Sequence, residues 1–189
     1  SQPIRVAVCV DLHRGAGTGG HMRFWERIAE AASGLSHAID LTVHVQGDSE
    51  ATAPLDSNVR FVTHRPGLST RGLSGLRSVA DHTDLAPHHF GLARQLVTAD
   101  IIHTTDCFFA HAATCRRVAR LADKPLVTSL HTDVPAYTRH FSGQLLRRWL
   151  PDGLGSLAVE RLDVPGRLER HMERKIRRHY AASDWVLAS

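Results

Sequence analysis

Residues Ile4–Ala32 read IRVAVCVDLHRGAGTGGHMRFWERIAEAA. The first eight, through Asp11, form the Val-rich apolar run that a strand buried on both faces requires. Gly15, Gly17 and Gly20 follow at Gly-x-Gly-x-x-Gly spacing. From His21 to Leu35, the apolar residues Trp25, Ile28, Ala29, Ala32 and Leu35 recur at helical intervals. A buried strand, a glycine-rich loop and an amphipathic helix open an α/β domain, and the rest of the chain repeats the alternation. Leu41–Gln46 and Val59–Thr63 read as strands. Residues 64–88 are an excursion with one short helix, and Phe90–Val97 is a helix. Ile101–Thr104 is a strand, followed by a helix that Asp106 can cap. Leu126–Leu130 is the next strand, then a loop, HTDVPAY, and an amphipathic stretch over Ser142–Leu150. After the break PDGLGS come a charged helix over Gly166–Tyr180 and a last strand, WVLAS. This order predicts one Rossmann-like domain over residues 1–189, a mostly parallel sheet with helices on both faces.

Right-handed crossovers put every strand-to-helix loop on one edge of such a sheet, and ligands bind there, beside the point where strand order reverses. Three loops therefore share an edge: Gly15–Gly20, Thr104-Thr105-Asp106 and His131-Thr132-Asp133. His131 ends the apolar run PLVTSLH at that edge. It can orient a substrate hydroxyl or carry a proton near neutral pH. It can equally bond a backbone carbonyl and shape its loop. Asp133 can hold His131, cap the next segment or contact a sugar hydroxyl. Asp106 is chiefly a cap by position, and His103 is read as structural.

The glycine pattern alone suggests a dinucleotide. In that fingerprint the strand runs almost directly into the first glycine, and an acid follows the last by about 20 residues. Here Leu12-His13-Arg14 separates the apolar run from Gly15. Asp48 comes late, and Asp40 precedes its strand, on the wrong edge. The dinucleotide reading is therefore set below a simpler one. Gly19-Gly20 opens a helix whose N–H groups face the cleft, where a phosphate or sugar can approach the backbone. A turn without a ligand is the remaining alternative.

The 189 residues carry 23 Lys and Arg against 19 Asp and Glu, a formal charge of +4. That mild excess tolerates phosphorylated ligands or an anionic surface and demands neither; no nucleic acid is expected. The three cysteines form no CxxC pair, and the start SQPIRV lacks a signal-peptide pattern, so cytoplasmic residence is expected. Fourteen histidines include the adjacent His88-His89 but no HxxxH or HExxH, and no metal is expected. The stretch RLDVPGRLERHMERKIRRHY is basic, with Leu168, Met172, Ile176 and Tyr180 in a stripe at spacing four. It reads as a packed helix with a solvated face, with adhesion to anionic lipid as the alternative.

Taken together, the first strand with its GG loop, then DIIHTTD, PLVTSLHTDVPAYTRHF and ERHMERKIRRHYAASDWVLAS, resemble the N-terminal domain of a family 4 glycosyltransferase. These are retaining enzymes of the GT-B architecture, with two Rossmann-like domains facing a cleft. The resemblance covers nearly the whole chain. It implies that Gly19 and Gly20 lie near the phosphates of a nucleotide diphosphate sugar and that His131 is the catalytic-site histidine. Asp106, Thr132, Asp133 and Tyr137 become candidates for binding the acceptor, a sugar or a lipid-linked sugar. It implies no cofactor and no obligatory metal. It also implies a C-terminal domain that holds most of the donor, for which these residues have no room, so they should not turn over alone. The basic helix becomes a candidate for peripheral contact with the inner face of a membrane. A non-catalytic sugar- or partner-binding module and a nicotinamide or flavin oxidoreductase are the competing readings.

Overall fold

The computed structural model describes residues 2–14, 19–69, 84–131, 134–151 and 153–188. The chain divides into two compact units, residues 1–131 with 182–189, and residues 132–181.

The larger unit is a Rossmann-like α/β sheet. Its strands are β1 (Ile4–His13), β2 (Ile39–Gln46), β3 (Ala51–Asp56), β4 (Val59–His64), β5 (Ile101–Thr104), β6 (Leu126–Leu130) and β7 (Trp185–Ala188). They lie in the order β3-β4-β2-β1-β5-β6-β7. All neighbours are parallel except β3, which pairs antiparallel with β4. Without β3, the parallel strands follow the order of a doubly wound dinucleotide fold, and the order reverses between β1 and β5.

Alternation along the strands builds a core on each face. Val8 and Val10 of β1, with Leu41, Val43, Val45, Val59 and Phe61, pack against Met22, Trp25, Ala29 and Ala32 of α1 (Gly20–Ser33). Ala7, Cys9, Ile102 and Leu126 point the other way. They meet Leu92 and Leu96 of α2 (Phe90–Leu96) and Cys115, Val118 and Ala119 of α3 (Ala110–Ala122). The smaller unit is helical: α4 (Val134–Trp149), the short α5 (Leu154–Ser156), a π-helical turn at Leu157–Arg161, and α6 (Val164–Tyr180). Arg139 pairs with Glu169 at 2.9 Å and Arg147 with Glu160 at 3.6 Å.

The structure departs from the sequence reading in four places. β3 was not expected: every side chain of ATAPLD is exposed, and Pro54 is tolerated because this is the sheet edge. α4 begins at Val134, inside the expected loop, because Pro135 falls in the first turn, where no intrahelical N–H is needed. α6 begins at Val164 for the same reason, with Pro165 in its first turn and Asp163 accepting from Gly166 N. β1 runs on to His13 through an irregularity after Cys9, and Arg14 N donates to the carbonyl of Gln46 at 2.9 Å. Only Arg14 therefore stands between the strand and Gly15, so the gap counted against the dinucleotide fingerprint is smaller than the apolar run suggests. The short helix expected within 64–88 lies outside the described residues.

Candidate functional site

At the carboxyl edge, the loop after β5 is tied to β1. Thr105 donates to the Cys9 carbonyl from its N–H at 3.1 Å and from its hydroxyl at 3.2 Å. Asp106 accepts from Phe108 N at 2.7 Å and Phe109 N at 3.1 Å. It therefore caps the turn leading into α3, while Phe109 itself stands at the helix N-cap. Capping is the role its position suggested.

His131 follows β6 directly, on the α1 side of the sheet. Its ring lies 4.5 Å from that of His21 and 5.4 Å from that of Phe24, both in the first turns of α1. His131 Nε2 is 3.1 Å from Ser129 Oγ, and the same hydroxyl is 2.9 Å from His103 Nε2. One hydroxyl thus bridges two imidazoles. It can donate to only one of them and accepts from the other or from both, according to the ring tautomers. Trp25 meets His103 edge-on at 5.1 Å.

Burial disfavours the imidazolium throughout this group. It lowers His131, and with the neighbouring His131 charge it takes His21 and His103 down to about 4. All three are neutral at pH 7, able to accept or donate one hydrogen bond per nitrogen. His21 Nε2 and Trp25 Nε1 are buried and make no hydrogen bond among the described residues. Buried polar atoms of this kind are normally paired.

Gly19 and Gly20 start α1 next to this group. Gly19 is the N-cap, with extended backbone; among the described residues no side chain caps the helix, and its first turn has no acidic residue. A Cβ on either glycine would meet nothing within 4 Å among the described residues. The first N–H groups of the helix and the positive end of its dipole lie here. The structure therefore brings Gly19, Gly20 and His131 together, and adds His21, Phe24, Trp25, His103 and Ser129. The helical pattern of α1 marked Trp25 as core, but only the fold puts His21 against His131. Gly15, Gly17, Thr132 and Asp133 lie outside the described residues. Tyr137 falls in α4 of the helical unit, its side chain outside what is described.

The two acids weighed for a ribose are now placed. Asp40 stands early in β2 and binds Arg60 at 2.6 Å. Asp48 follows β2 at the carboxyl edge, exposed, 3.4 Å from His13 Nε2.

A second group was not legible in the sequence. On the face covered by α2 and α3, His44, His64, His89 and His111 are buried together. His44 Nδ1 is 3.0 Å from His64 Nε2, and Glu50 Oε2 is 3.2 Å from His64 Nδ1. Burial, then the His64 charge, takes His44 down to about 3. Asp11 lies under the same face, accepting from Gln46 Nε2 and, at 3.2 Å, from His111 N. Burial and the Asp106 charge hold its carboxyl well above the usual range. Glu50, His64 and His89 bring ligand atoms within 4.8 Å of one another.

Fold and edge define the class, a Rossmann-like α/β unit with histidines and two glycines gathered at the carboxyl edge of its sheet. Compared with known proteins, the chain matches no family model and no curated sequence.

Proposed function

We propose that this chain is the acceptor-side domain of a retaining GT-B glycosyltransferase of the family 4 kind, working with a second domain that holds most of a nucleotide diphosphate sugar. The observation that carries the reading is the apposition of His131 and the N-terminus of α1 at Gly19 and Gly20. The N–H groups at Gly19 and Gly20 favour the donor's phosphate oxygens. His131, neutral and held through Ser129 by His103, orients a hydroxyl of the transferred sugar or of the acceptor. His21 Nε2 and Trp25 Nε1 offer further polar contacts to either sugar. The acceptor is a sugar or lipid-linked sugar, with Asp106, Thr132, Asp133 and Tyr137 as candidates to bind it. No nucleic acid partner is proposed.

The lipid-linked option has support in the helical unit. Arg167, Arg170, Arg174, Arg177 and Arg178 are exposed along α6. Trp149, Leu154, Leu157 and Leu162 are exposed nearby in sequence. Apolar and basic side chains in that combination suit adhesion to an anionic bilayer surface on the cytoplasmic side. No helix among the described residues is long and apolar enough to cross a membrane.

The dinucleotide reading keeps two observations in its favour: β1 reaches His13, and Asp48 stands at the carboxyl edge. One assay separates the readings. The longest natural protein containing this chain is incubated with labelled nucleotide diphosphate sugars and, in parallel, titrated with NAD, NADP and FAD. Release of nucleotide diphosphate as the sugar passes to an acceptor or to water, with no dinucleotide binding, is the expected result. Tight dinucleotide binding without sugar release would replace the proposal with an oxidoreductase. Inactivity toward both would leave a non-catalytic module.

A further inference from the structure

We propose that Glu50, His64 and His89 form a binding site for one divalent transition-metal ion of the zinc class. The site lies in the sheet unit, on the face opposite α1. His64 ends β4, Glu50 precedes β3 and His89 stands at the N-cap of α2. Their ligand atoms already lie within 4.8 Å of one another, and imidazole with carboxylate is a donor set that Zn²⁺ accepts.

His64 carries the argument. Its Nε2 faces His44 Nδ1 at 3.0 Å. Its Nδ1 is buried and makes no hydrogen bond among the described residues, although Glu50 Oε2 stands 3.2 Å away. If His64 donates through Nε2 to His44, the Nδ1 lone pair confronts the carboxylate directly. Two acceptors at that separation attract only across a cation. His44 then fixes the tautomer and aim of the metal-binding imidazole, as partners of metal-bound histidines do.

His111 supplies a second, independent observation. It is wholly buried, and neither ring nitrogen makes a hydrogen bond among the described residues. Its ring stands edge-on to His64 at 6.0 Å and to His89 at 5.9 Å. Three protein ligands leave a coordination position for water, and a metal-bound water gives His111 the partner a buried imidazole requires. His89 is the ligand that must rearrange. Its Nδ1 accepts from Leu92 N at 3.1 Å and its Nε2 donates to the Arg65 carbonyl at 2.9 Å. Ligation exchanges one of these bonds for the ion, so His89 closes the site after Glu50 and His64 have taken hold.

The test is titration of the chelator-treated chain with Co²⁺, followed by visible absorption, and with Zn²⁺ in competition with a chromophoric chelator. One equivalent per chain should bind with the intense visible bands of a low-coordinate nitrogen–oxygen site, and Zn²⁺ should displace it. Glu50→Gln should weaken binding at least ~10-fold; its side chain is 57% exposed, so this variant keeps the fold. His64→Gln should abolish the site, while His140→Ala, on α4, should leave it unchanged. Weak binding of several equivalents, or wild-type affinity in Glu50→Gln, would overturn the proposal and leave surface histidines as the only binders.

Discussion

The sheet carries histidines on both faces, and the two groups differ in one physical respect. On the α1 side, His131 and His21 are half-buried beside Phe24, which is 46% exposed, and beside two glycines with no described atom within 4 Å of an added Cβ. On the α2 and α3 side, His44, His64 and His111 are sealed at 2%, 0% and 0% exposure. Burial keeps both groups neutral. The first group retains room for a substrate; the second can accept only something as small as an ion or a water. The same side chain thus suits hydroxyl recognition in one place and metal ligation or structural bonding in the other.

The largest expected effect separates the two faces by activity. If the proposed transferase reading holds, His131→Ala in the longest natural protein containing this chain should lower turnover by about 100-fold or more, the usual range for losing a positioned acid–base group. Its melting temperature should stay near wild type. Near-normal rates would remove His131 from the reaction and break the functional half of the comparison.

Acid should act through the buried imidazoles of both faces. His44, at about 3, and His21 and His103, at about 4, lie below the 6.5 expected in the unfolded chain. The unfolded chain therefore binds more protons between those values. Their stabilisation is whole above about pH 6.5 and is lost as pH falls toward 4 and 3, at about 1.4 kcal/mol per pH unit for each such histidine. Asp11 has the opposite sign. Its raised value favours the folded state in acid, offsetting part of the loss. Urea unfolding between pH 7.5 and 4 should show the fall, and His44→Gln should flatten it. A wild-type profile already flat would contradict the buried, neutral assignment.

Ser129→Ala should have an intermediate effect. It strips the bridge between His103 and His131 and leaves His103 Nε2 without its hydroxyl. The expected cost is about 1–3 kcal/mol of stability, with turnover down roughly 10-fold and a displaced pH–rate profile. An unchanged pH profile would show that Ser129 only packs. Gly19→Ala should be the mildest in the folded state, within about 0.5 kcal/mol, because its backbone is unstrained and its Cβ meets nothing. Donor affinity should nonetheless weaken, and a wild-type KM for the nucleotide sugar would place the phosphates elsewhere.

Most of the sheet was legible because its strands are apolar runs and α1 has a clean period. What escaped had physical reasons. β3 buries no side chain, so its sequence has no alternation to read. Pro135 and Pro165 suggest loops but sit in first helical turns. The end of β1 is hidden because its last residues, Leu12 and His13, continue the strand without continuing the apolar run. The candidate site was half legible: His131 and the glycines follow from the rule about loop edges, whereas His21 gains its meaning from contact with His131. The sealed histidines were not legible at all. His44 and His64 are 20 residues apart and meet because β2 and β4 are parallel neighbours, and His89 and His111 arrive on separate helices. No local spacing encodes that meeting.

The most direct test follows the amide and imidazole NMR signals of the labelled chain as millimolar nucleotide diphosphate sugar is added. Shifts are expected at Gly19, Gly20, His21, Ser129 and His131, with His44, His64 and His111 silent. Shifts confined to the sealed group, or none at the α1 edge with any nucleotide sugar, would contradict the proposed function.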